Sequence, residues 1–567
     1  MTGAALQQPG LPRTAGPLPD PPTLRGLLPP TPLKLAPALV LMAAAGALQT
    51  LAFVHTAAWP LPLLAIALLA AQVGRATPRQ AAALGWAFGC GWLGAGTWWL
   101  FISLHRYGGL PAPLAACAVA LLSALLSIYL ALGMAWVARQ RSGQLWADAA
   151  RFAAAWLAAE LARGVIFTGF PWLATGYSQV DGPLAVLAPW LGVYALGALV
   201  AGLAAGLGLA AQAALWPAAP GSIGQSARRP LRSAGLALAV VLTVLALPAA
   251  WGVWRGAPQF TQPSGSLRVA MLQTNVSQDE KFAIEHMPAS LAWVATQLLA
   301  AQADLVVAPE TAVPLLPDQL NELAPGYWDA LQQHFGQPGG PVALVGVPLG
   351  SYEQGYSNSV VGLSANSATN SAANSAAAAY RYDKSHLVPF GEFIPTGFHW
   401  FTELMNIPLG DFNRGPLNAP SFAVRGERVA PNICYEDLFG EELALRFADP
   451  ARAPTILANV SNIGWFGDTI AVPQHLQISR FRTLELQRPM LRATNTGATA
   501  VIDHRGVVTA VLPSFTQGVL LATVQGRSGL TPFARWSAAA GLWPLWALAA
   551  LGLAWPRQGP RSSRLPR

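Results

Sequence analysis

The stretch Asn432-Ile433-Cys434-Tyr435-Glu436 decides the fold of the polar part of this chain, because it has the pattern of a strand that turns into a helix. It follows the apolar run 428–431, and the acidic stretch 437–442 is typical of a helix start. A cysteine at such a turn is well placed to act as an exposed nucleophile. Most free cysteines are small buried hydrophobic residues, however, so both interpretations of Cys434 are open at this point.

The other two cysteines, Cys90 and Cys117, lie in long apolar runs, so Cys434 has no disulfide partner within the polar region. There is no cysteine framework and no Cys/His spacing of the kind that binds metal. A zinc enzyme is disfavoured because no His-Glu-x-x-His pair is present, and a serine hydrolase because no Gly-x-Ser-x-Gly turn is present. We therefore predict no metal and no other cofactor.

The composition indicates a membrane protein that also carries a soluble domain. Of the 567 residues, 53% are hydrophobic and only 11% are charged, and the mean hydropathy is +0.39. The formal net charge is +8, but the basic residues lie mostly in short loops and at the C-terminus. This placement indicates membrane topology, so we predict contact with membrane lipid and no binding of nucleic acid.

Eight apolar stretches are candidate membrane spans, since a span needs about 20 apolar residues. They are residues 35–54, 58–73, 80–104, 110–138, 145–166, 184–213, 234–254 and 536–555. Arginine and lysine are concentrated in alternate loops, which by the positive-inside rule places both termini in the cytoplasm. The polar block 256–535 then lies outside, on the periplasmic face of a cell with two membranes.

The chain is therefore divided into five parts. These are a disordered cytoplasmic tail over 1–33, a bundle of about seven membrane helices over 34–255, a catalytic domain over 256–535, a C-terminal membrane helix over 536–556 and a basic cytoplasmic tail over 557–567. The Asn/Ser/Ala-rich residues 364–379 are interpreted as a solvated insertion.

The polar block alternates short β-branched runs with helical patterns, which predicts an α/β layered domain. Helices are expected at 284–302, 325–335, 438–448 and 472–490. Strands are expected at 267–273, 304–308, 341–347, 357–363, 378–383, 421–425, 428–433, 455–459, 498–502 and 507–512.

Two charged residues lie within the fifth apolar stretch. Glu160 and Arg163 are three residues apart, so they share one face of a helix and can pair. Charges inside a membrane are costly and often functional. A structural ion pair near the end of the span is an equally good interpretation.

Two further stretches place a charged side chain directly after a predicted strand. Glu310 follows the apolar run 305–307, and Lys384 follows the strand at 378–383. Such residues are usually solvated loop residues. With Cys434 they nevertheless place three reactive groups at strand ends of one domain, which favours a common site.

A thiol has a pKa of about 8.5, so Cys434 needs a base or a cation to become a thiolate near neutral pH. Glu310 could take the proton and later deliver it to the leaving group. Acyl transfer also creates an oxyanion, which Lys384 and the backbone N–H of Tyr435 could stabilise. The candidates for holding the lysine charged and in place are Glu392 and Glu436.

These stretches resemble the nitrilase, or carbon–nitrogen hydrolase, superfamily, in which Glu, Lys and Cys occur in this order. The chain is more similar still to the apolipoprotein N-acyltransferases. The likeness covers nearly all of the chain beyond residue 34. It includes Gly169-Phe170-Pro171-Trp172, Gly176-Tyr177-Ser178-Gln179, Tyr356-Ser357-Asn358-Ser359, Gly464-Trp465-Phe466-Gly467, Thr494-Asn495-Thr496-Gly497 and Gly529-Leu530-Thr531-Pro532.

The resemblance implies a polytopic α-helical membrane bundle of about eight spans and a periplasmic α/β domain with a nitrilase-like αββα sandwich. It implies that Glu310 is the general base, Lys384 the oxyanion-stabilising lysine and Cys434 the nucleophile. The residues that match supporting or substrate-binding positions are Asn358, Glu392, Tyr435, Glu436, Trp465 and Phe466. Two positions depart from the family: Phe282 replaces a tryptophan, and Ile463 replaces the aspartate of a Ser-Asn-Asp pattern.

The implied reaction has two steps and takes place at the cell inner membrane. Cys434 attacks an ester of a phospholipid, forms a thioester and releases a lysophospholipid. The α-amine of the diacylglyceryl-modified cysteine of an apolipoprotein then takes the acyl group, which is the last step of bacterial lipoprotein maturation.

Physical chemistry also favours a site that is continuous with the bilayer. Exposing an acyl chain of about sixteen carbons to water would cost on the order of 10 kcal/mol, at about 0.8 kcal/mol per CH₂. The aromatic and aliphatic residues of 390–410 could cover the chain, so we predict a mobile, lipid-facing lid there. An ordinary packed loop is the alternative.

Two other functions are considered. A membrane-anchored nitrilase-type amidase would pass the acyl group to water, but an anchor needs one span rather than seven. A transporter with an external binding domain would need more ionisable residues within its spans, and inverted repeats are not visible.

Overall fold

The structure, a computed structural model, describes residues 34–215, 228–255, 258–365, 380–395 and 412–555. The two predicted tails lie outside these residues. So do residues 366–379 of the predicted insertion and 396–410 of the predicted lid.

Apolar helices form the N-terminal part of the chain, as the hydropathy pattern predicts. Helices satisfy their backbone hydrogen bonds internally, which the membrane interior requires. Two of them approach closely because Gly46 lies against the carbonyl of Phe88 and Gly91 against that of Ala43. The helices are α1 (Leu35–Gln49), α2 (Pro60–Val73), α3 (Pro78–Thr97), α4 (Leu100–Ile102), α5 (Ala112–Gln140), α6 (Leu145–Val165), α7 (Ala188–Leu215) and α8 (Arg228–Arg255).

The described residues contain four to six candidate spans, so the predicted count of about eight is not confirmed. Four helical stretches are long and apolar enough: Leu35–Phe53, Thr56–Val73, Ala112–Gln140 and Pro183–Leu215. Two bent pairs are further candidates, Pro78–Thr97 with Leu100–Tyr107 at 61° and Pro532–Ala540 with Trp543–Ala554 at 88°.

Helices α6 and α8 account for the difference from eight. α6 carries Asp148, Arg151, Glu160 and Arg163, so it lacks the composition of a lipid-facing span. All four side chains are buried among other parts of the protein. In α8 the stretch Gly235–Leu247 is apolar.

Twelve strands in the described part of the chain form two six-stranded sheets. Their orders are β12-β1-β2-β3-β4-β5 and β11-β10-β9-β8-β7-β6. Strands β1 to β3 pair in parallel, as do β7 to β9. The strands are β1 (Thr261–Gln273), β2 (Leu305–Val307), β3 (Val342–Ser351), β4 (Gly355–Leu363), β5 (Tyr380–Asp383), β6 (Phe422–Val424), β7 (Glu427–Ile433), β8 (Ile456–Ser461), β9 (Met490–Thr494), β10 (Ala500–Ile502), β11 (Val508–Val511) and β12 (Gly518–Gly529).

The sheets pack face to face, and helices cover both outer faces. Val269 and Met271 of the first sheet share the central core with Ile433 and Ile456 of the second. α9 (Met287–Ala300), α10 (Pro317–Leu323) and α11 (Tyr327–Phe335) cover the first sheet. α12 (Gly440–Leu445), α13 (Ala471–Leu486) and α14 (Pro532–Ala540) lie on the second. This is the αββα arrangement that the resemblance implies.

Helix α13 lies between the second sheet and the membrane bundle. Ile478 and Phe481 pack into the core of the bundle. Gln477 Nε2 donates to the carbonyl oxygens of Ala52 at 3.1 Å and Tyr177 at 2.8 Å. The helix therefore connects the catalytic domain to the bundle.

The last predicted span is divided in the structure. α14 packs against the second sheet through Phe533, and the chain bends at Gly541, where φ is +54°. α15 (Trp543–Ala554) then runs along α6 of the bundle. Its 12 residues extend about 18 Å, short of the roughly 30 Å of a hydrocarbon core.

The ten strands expected in the polar block are all present, with ends shifted by a few residues. β9 and β12 were not expected. The helix expected at 472–490 ends at Leu486, because Gln487 adopts a positive φ of 46° and Pro489 cannot continue a helix. The strand β9 begins one residue after that proline.

Candidate active site

Cys434 lies where the chain changes direction sharply: β7 ends at Ile433, and the helical turn Cys434–Leu438 begins with the cysteine. Its φ is +53°, which a residue with a Cβ adopts at a cost on the order of 1–3 kcal/mol. The turn is held by Glu436, whose Oε2 accepts hydrogen bonds from Ile433 N at 2.6 Å and Tyr382 Oη at 2.7 Å. Its Oε1 accepts from Ser385 N at 2.6 Å. Glu436 thus ties the cysteine turn to the segment that follows Lys384.

Glu310, Asn358, Lys384 and Glu392 form one buried cluster. Lys384 Nζ lies 2.8 Å from Glu392 Oε1 and 3.6 Å from Glu310 Oε1. Asn358 Nδ2 donates to Glu392 Oε1 at 2.9 Å and to Glu310 Oε1 at 2.7 Å. The other oxygen of Glu310 accepts from Asn462 N at 2.7 Å. Neutral donors therefore hold the predicted base, and the carboxylate of Glu392 holds the predicted oxyanion-stabilising cation beside it.

The charges in this cluster control the protonation of Lys384 and Cys434. Burial disfavours the charged form of Lys384, but the carboxylates of Glu392 and Glu310 outweigh it and raise the pKa of the ammonium above its ordinary value. Burial raises the pKa of the Cys434 thiol, and the charge of Glu310 raises it further, while Lys384 lowers it. The resting site therefore holds a neutral thiol and a cationic lysine.

A first prediction concerns alkylation of Cys434 by iodoacetamide, which reacts with thiolates. Because the pKa of the thiol is raised, the rate should be low at pH 7 and rise tenfold per pH unit through pH 9. Glu310→Gln removes a negative charge that raises this pKa, so alkylation at pH 8 should become about two- to tenfold faster. Mass spectrometry of the Cys434 peptide measures the rate.

The matched control for that variant is Glu427→Gln, a buried glutamate that accepts a hydrogen bond from Ser264. It should leave the alkylation rate at Cys434 unchanged. Slower alkylation in Glu310→Gln at every pH would contradict the assignment, because it would mean that Glu310 already holds the thiol proton in the resting protein.

The membrane bundle reaches the cysteine turn through the loop after α6. Tyr435 Oη donates to the carbonyl of Gly169 at 3.0 Å. Arg163 Nη1 holds the same loop by donating to Phe170 O at 2.8 Å and Trp172 O at 2.5 Å. Arg163 Nη2 lies 3.9 Å from Glu160 Oε1, which is a long ion pair. The shorter contact of Glu160 is with Thr175 N at 2.7 Å, so each member of the pair mainly orders the segment after α6.

Trp465 and Phe466 lie where the catalytic domain meets the bundle. They end the helical turn Ile463–Phe466. Phe466 packs against Trp99 with ring centroids 4.2 Å apart. Trp465 and Tyr107 form an edge-to-face pair with ring centroids 5.7 Å apart. Both aromatic rings are therefore placed along the boundary with the bundle.

The two departures from the family pattern have different surroundings. Ile463 is 1% exposed and belongs to the apolar core that the bundle shares with the catalytic domain, so an apolar side chain fits there. Phe282 is 51% exposed. The residue before it, Lys281, is buried and donates to the backbone carbonyl of Glu310 at 3.0 Å.

Sequence reasoning missed several residues around this site. Burial lowers the pKa of Lys281 to about 8, against the opposing charges of Glu310 and Cys434. Asn459 and His475 contact the backbone oxygen of Cys434. A lone lysine in a loop of mixed charge and a histidine on a helix carry no signal of such contacts.

Comparisons with known proteins match both the helical bundle and the two-sheet domain of this chain. Two family models match, the apolipoprotein N-acyltransferase N-terminal domain over residues 45–207 and carbon–nitrogen hydrolase over residues 268–533. An apolipoprotein N-acyltransferase of Verminephrobacter eiseniae is 48% identical over 521 residues, covering 89% of this chain and 93% of that protein. One from Ralstonia nicotianae is 48% identical over 504 residues, covering 87% and 89%. A solved carbon–nitrogen hydrolase from Helicobacter pylori G27 aligns at 15% identity with a TM-score of 0.33, covering 50% of this chain and 94% of its own.

Proposed function

The chain belongs to the apolipoprotein N-acyltransferase family, and we propose that it performs the acyl transfer of lipoprotein maturation through a thioester on Cys434. The observation that carries this assignment is the buried cluster of Glu310, Lys384 and Glu392, whose charges act on the Cys434 thiol. A carboxylate, a fixed cation and a thiol close enough to act on one another electrostatically are the groups that acyl transfer needs.

In the first half-reaction, the Cys434 sulfur attacks the ester carbonyl of a phospholipid while Glu310 takes the thiol proton. The resulting oxyanion is stabilised by the ammonium of Lys384 and the N–H of Tyr435. The tetrahedral intermediate collapses by breaking the bond to the glycerol oxygen. Glu310 returns its proton to that oxygen, so a lysophospholipid leaves and the acyl group remains on sulfur.

In the second half-reaction, the α-amine of a diacylglyceryl-modified cysteine attacks the thioester carbonyl. Glu310 takes a proton from the attacking nitrogen, and Lys384 and Tyr435 again hold the oxyanion. Breaking the carbon–sulfur bond releases an amide. The sulfur of Cys434 regains its proton from Glu310, which restores the starting enzyme.

Asn358 and Glu392 orient this machinery, since Asn358 donates to both carboxylates and Glu392 pairs with the lysine. Glu436 fixes the cysteine turn, as its hydrogen bonds to Ile433 and Ser385 require. We assign Trp465 and Phe466 to the substrate side of the boundary with the bundle. There their rings can contact acyl chains.

The acyl chain enters from the bundle side. Phe167 is 87% exposed and lies in the loop that receives Tyr435, and its neighbours Val165 and Ile166 are exposed as well. An exposed apolar group of this kind suits contact with lipid. Since lipoproteins and phospholipids meet at a membrane, we place the protein in the cell inner membrane, with the catalytic domain in the periplasm and both termini in the cytoplasm.

The experiment that tests this function compares the two acceptors of the acyl group. Purified protein is mixed with phospholipid and a diacylglyceryl lipopeptide, and the products are separated by mass spectrometry. The expected products are N-acylated lipopeptide and lysophospholipid in equal amounts. Free fatty acid as the main product, with the lipopeptide unchanged, would show an amidase-like enzyme that passes the acyl group to water.

A further inference from the structure

The carbonyl oxygen of Cys434 is held by two side chains that take no part in the proton transfers above. Asn459 Nδ2 donates to it at 3.2 Å, and His475 Nε2 lies 3.2 Å from the same oxygen. Asn459 comes from β8 and His475 from α13, and their exposures are 0% and 1%. Two buried groups from different elements therefore fix the direction of one carbonyl.

That carbonyl shares a planar peptide unit with the N–H of Tyr435. In a trans peptide the C=O and the N–H point in opposite directions, so holding the oxygen sets the direction of the N–H. Tyr435 lies in the first turn of Cys434–Leu438, where backbone N–H groups have no acceptor within the helix. Its N–H can therefore donate to a substrate oxygen beside the sulfur.

The neighbours of His475 determine which of its ring nitrogens carries hydrogen. Arg492 Nη2 lies 2.7 Å from Nδ1, and because a guanidinium can only donate, Nδ1 is the acceptor. Nε2 then carries the hydrogen and faces both Cys434 O and Asp437 Oδ1, the latter at 2.9 Å. Burial lowers the pKa of His475, which agrees with a neutral ring.

The membrane bundle fixes the plane of the same ring. Trp172 stacks on His475 with centroids 5.6 Å apart and planes at 20°. The indole N–H of Trp172 donates to Gln474 Oε1 at 2.8 Å, and Gln474 Nε2 donates to Gly96 O of α3 at 3.1 Å. The orientation of His475 therefore depends on contacts from both halves of the protein.

We propose that His475 and Asn459 are positioning residues of the oxyanion site, acting through the Cys434–Tyr435 peptide. They orient the Tyr435 N–H toward the developing oxyanion, and their hydrogen bonds to the carbonyl polarise the peptide and strengthen that donor. The inference rests on the proposed function, in which this N–H stabilises both tetrahedral intermediates. It extends that function to two residues that touch neither substrate nor the reacting sulfur.

The test compares two reactions of the same sulfur. Acylation of Cys434 by phospholipid, without an acceptor, passes through an oxyanion, whereas alkylation by iodoacetamide displaces iodide and forms none. In His475→Ala the acylation rate should fall about 10- to 100-fold, less than loss of a complete oxyanion donor. Alkylation should stay within about twofold of the unchanged protein, because the pKa of the thiol does not depend on the direction of the Tyr435 N–H.

Two further variants separate positioning from folding. His475→Gln keeps a donor near the place of Nε2 and should recover most of the acylation rate. Asn459→Leu keeps the volume but removes the second donor, so it should slow acylation selectively as well. The control is Thr483→Val on the same helix, which keeps the shape of a buried side chain but removes a hydroxyl that donates to Arg480 O. It should change neither rate.

The outcomes distinguish this proposal from the function it rests on. Acylation and alkylation that fall together in His475→Ala and Asn459→Leu would show a merely structural role and overturn the proposal. Unchanged acylation in both variants would also overturn it. If the unchanged protein forms no acyl adduct on Cys434 while its lipopeptide acylation proceeds, the thioester itself is wrong, and the proposal fails with it.

Discussion

Cys434→Ala should abolish N-acylation of a lipopeptide, lowering the rate by about four or more orders of magnitude. The sulfur is the atom that forms and breaks bonds in both half-reactions, so no neighbouring group can replace it. Glu310 and Lys384 can polarise a substrate but cannot accept an acyl group that survives to the second step. The measurement is the rate of N-acylated lipopeptide formation, followed by mass spectrometry in detergent or vesicles.

The matched control for this change is Cys117→Ala. Cys117 lies exposed on α5 of the bundle, so its removal leaves the catalytic domain untouched. It should retain the full rate of N-acylation. Substantial N-acylation by Cys434→Ala, at more than about one per cent of the unchanged protein, would mean that the amine attacks the phospholipid directly.

Lys384→Met should lower the rate of N-acylation by about 10²- to 10³-fold, the usual loss when one oxyanion donor is removed. Two effects add, because the ammonium stabilises the oxyanion and also lowers the pKa of Cys434. The change also leaves Glu310 and Glu392 buried without their cation. An unpaired buried charge costs about 3–5 kcal/mol, so the melting temperature should fall as well.

A second substitution separates these two consequences of Lys384→Met. Glu392→Gln in the same protein removes one of the two orphaned charges, and its single side-chain oxygen can still accept from either Asn358 or Val388, which donate to different oxygens of Glu392. The double variant should regain part of the melting temperature, because Glu310 still lacks its cation, but none of the acylation rate. Recovery of activity along with stability would show that Lys384 serves the fold rather than the reaction.

The proposed reactive groups could be predicted from the sequence because each lies within three residues of the end of a strand. Parallel strands bring their carboxyl ends to one edge, so Glu310 after β2 and Cys434 after β7 meet where the two sheets face each other. Short β-branched runs mark these strands clearly. The residues that we propose for the site could therefore be named before any coordinates.

The supporting contacts were not accessible in this way, since they depend on packing between distant parts of the chain. His475 is on a helix that is buried on all sides and carries polar residues all round it, so no separate polar face marks a function. Its contacts with Trp172 and Arg492 join residues far apart in the chain. No periodicity or spacing encodes them.

The predicted count of about eight spans is not confirmed in the described residues for a related reason. Hydropathy treats each helix as if it faced lipid, whereas α6 is enclosed by protein and carries the ion pair Asp148–Arg151 at 2.9 Å. The bend at Gly541 likewise follows from α14 packing on the second sheet. α6 is enclosed mainly by other helices of the bundle, and α14 is held by the second sheet. A one-dimensional profile does not contain such contacts.

The central claim is that the sulfur of Cys434 carries the fatty acid between two substrates. The most direct measurement is mass spectrometry of protein incubated with phospholipid alone, followed by digestion and mapping of the adduct. We expect one acyl group on the Cys434 peptide, sensitive to hydroxylamine as a thioester is, and transferred to lipopeptide when the amine is added. An unmodified Cys434 in protein that still acylates lipopeptide, or an adduct that the amine does not remove, would contradict the account.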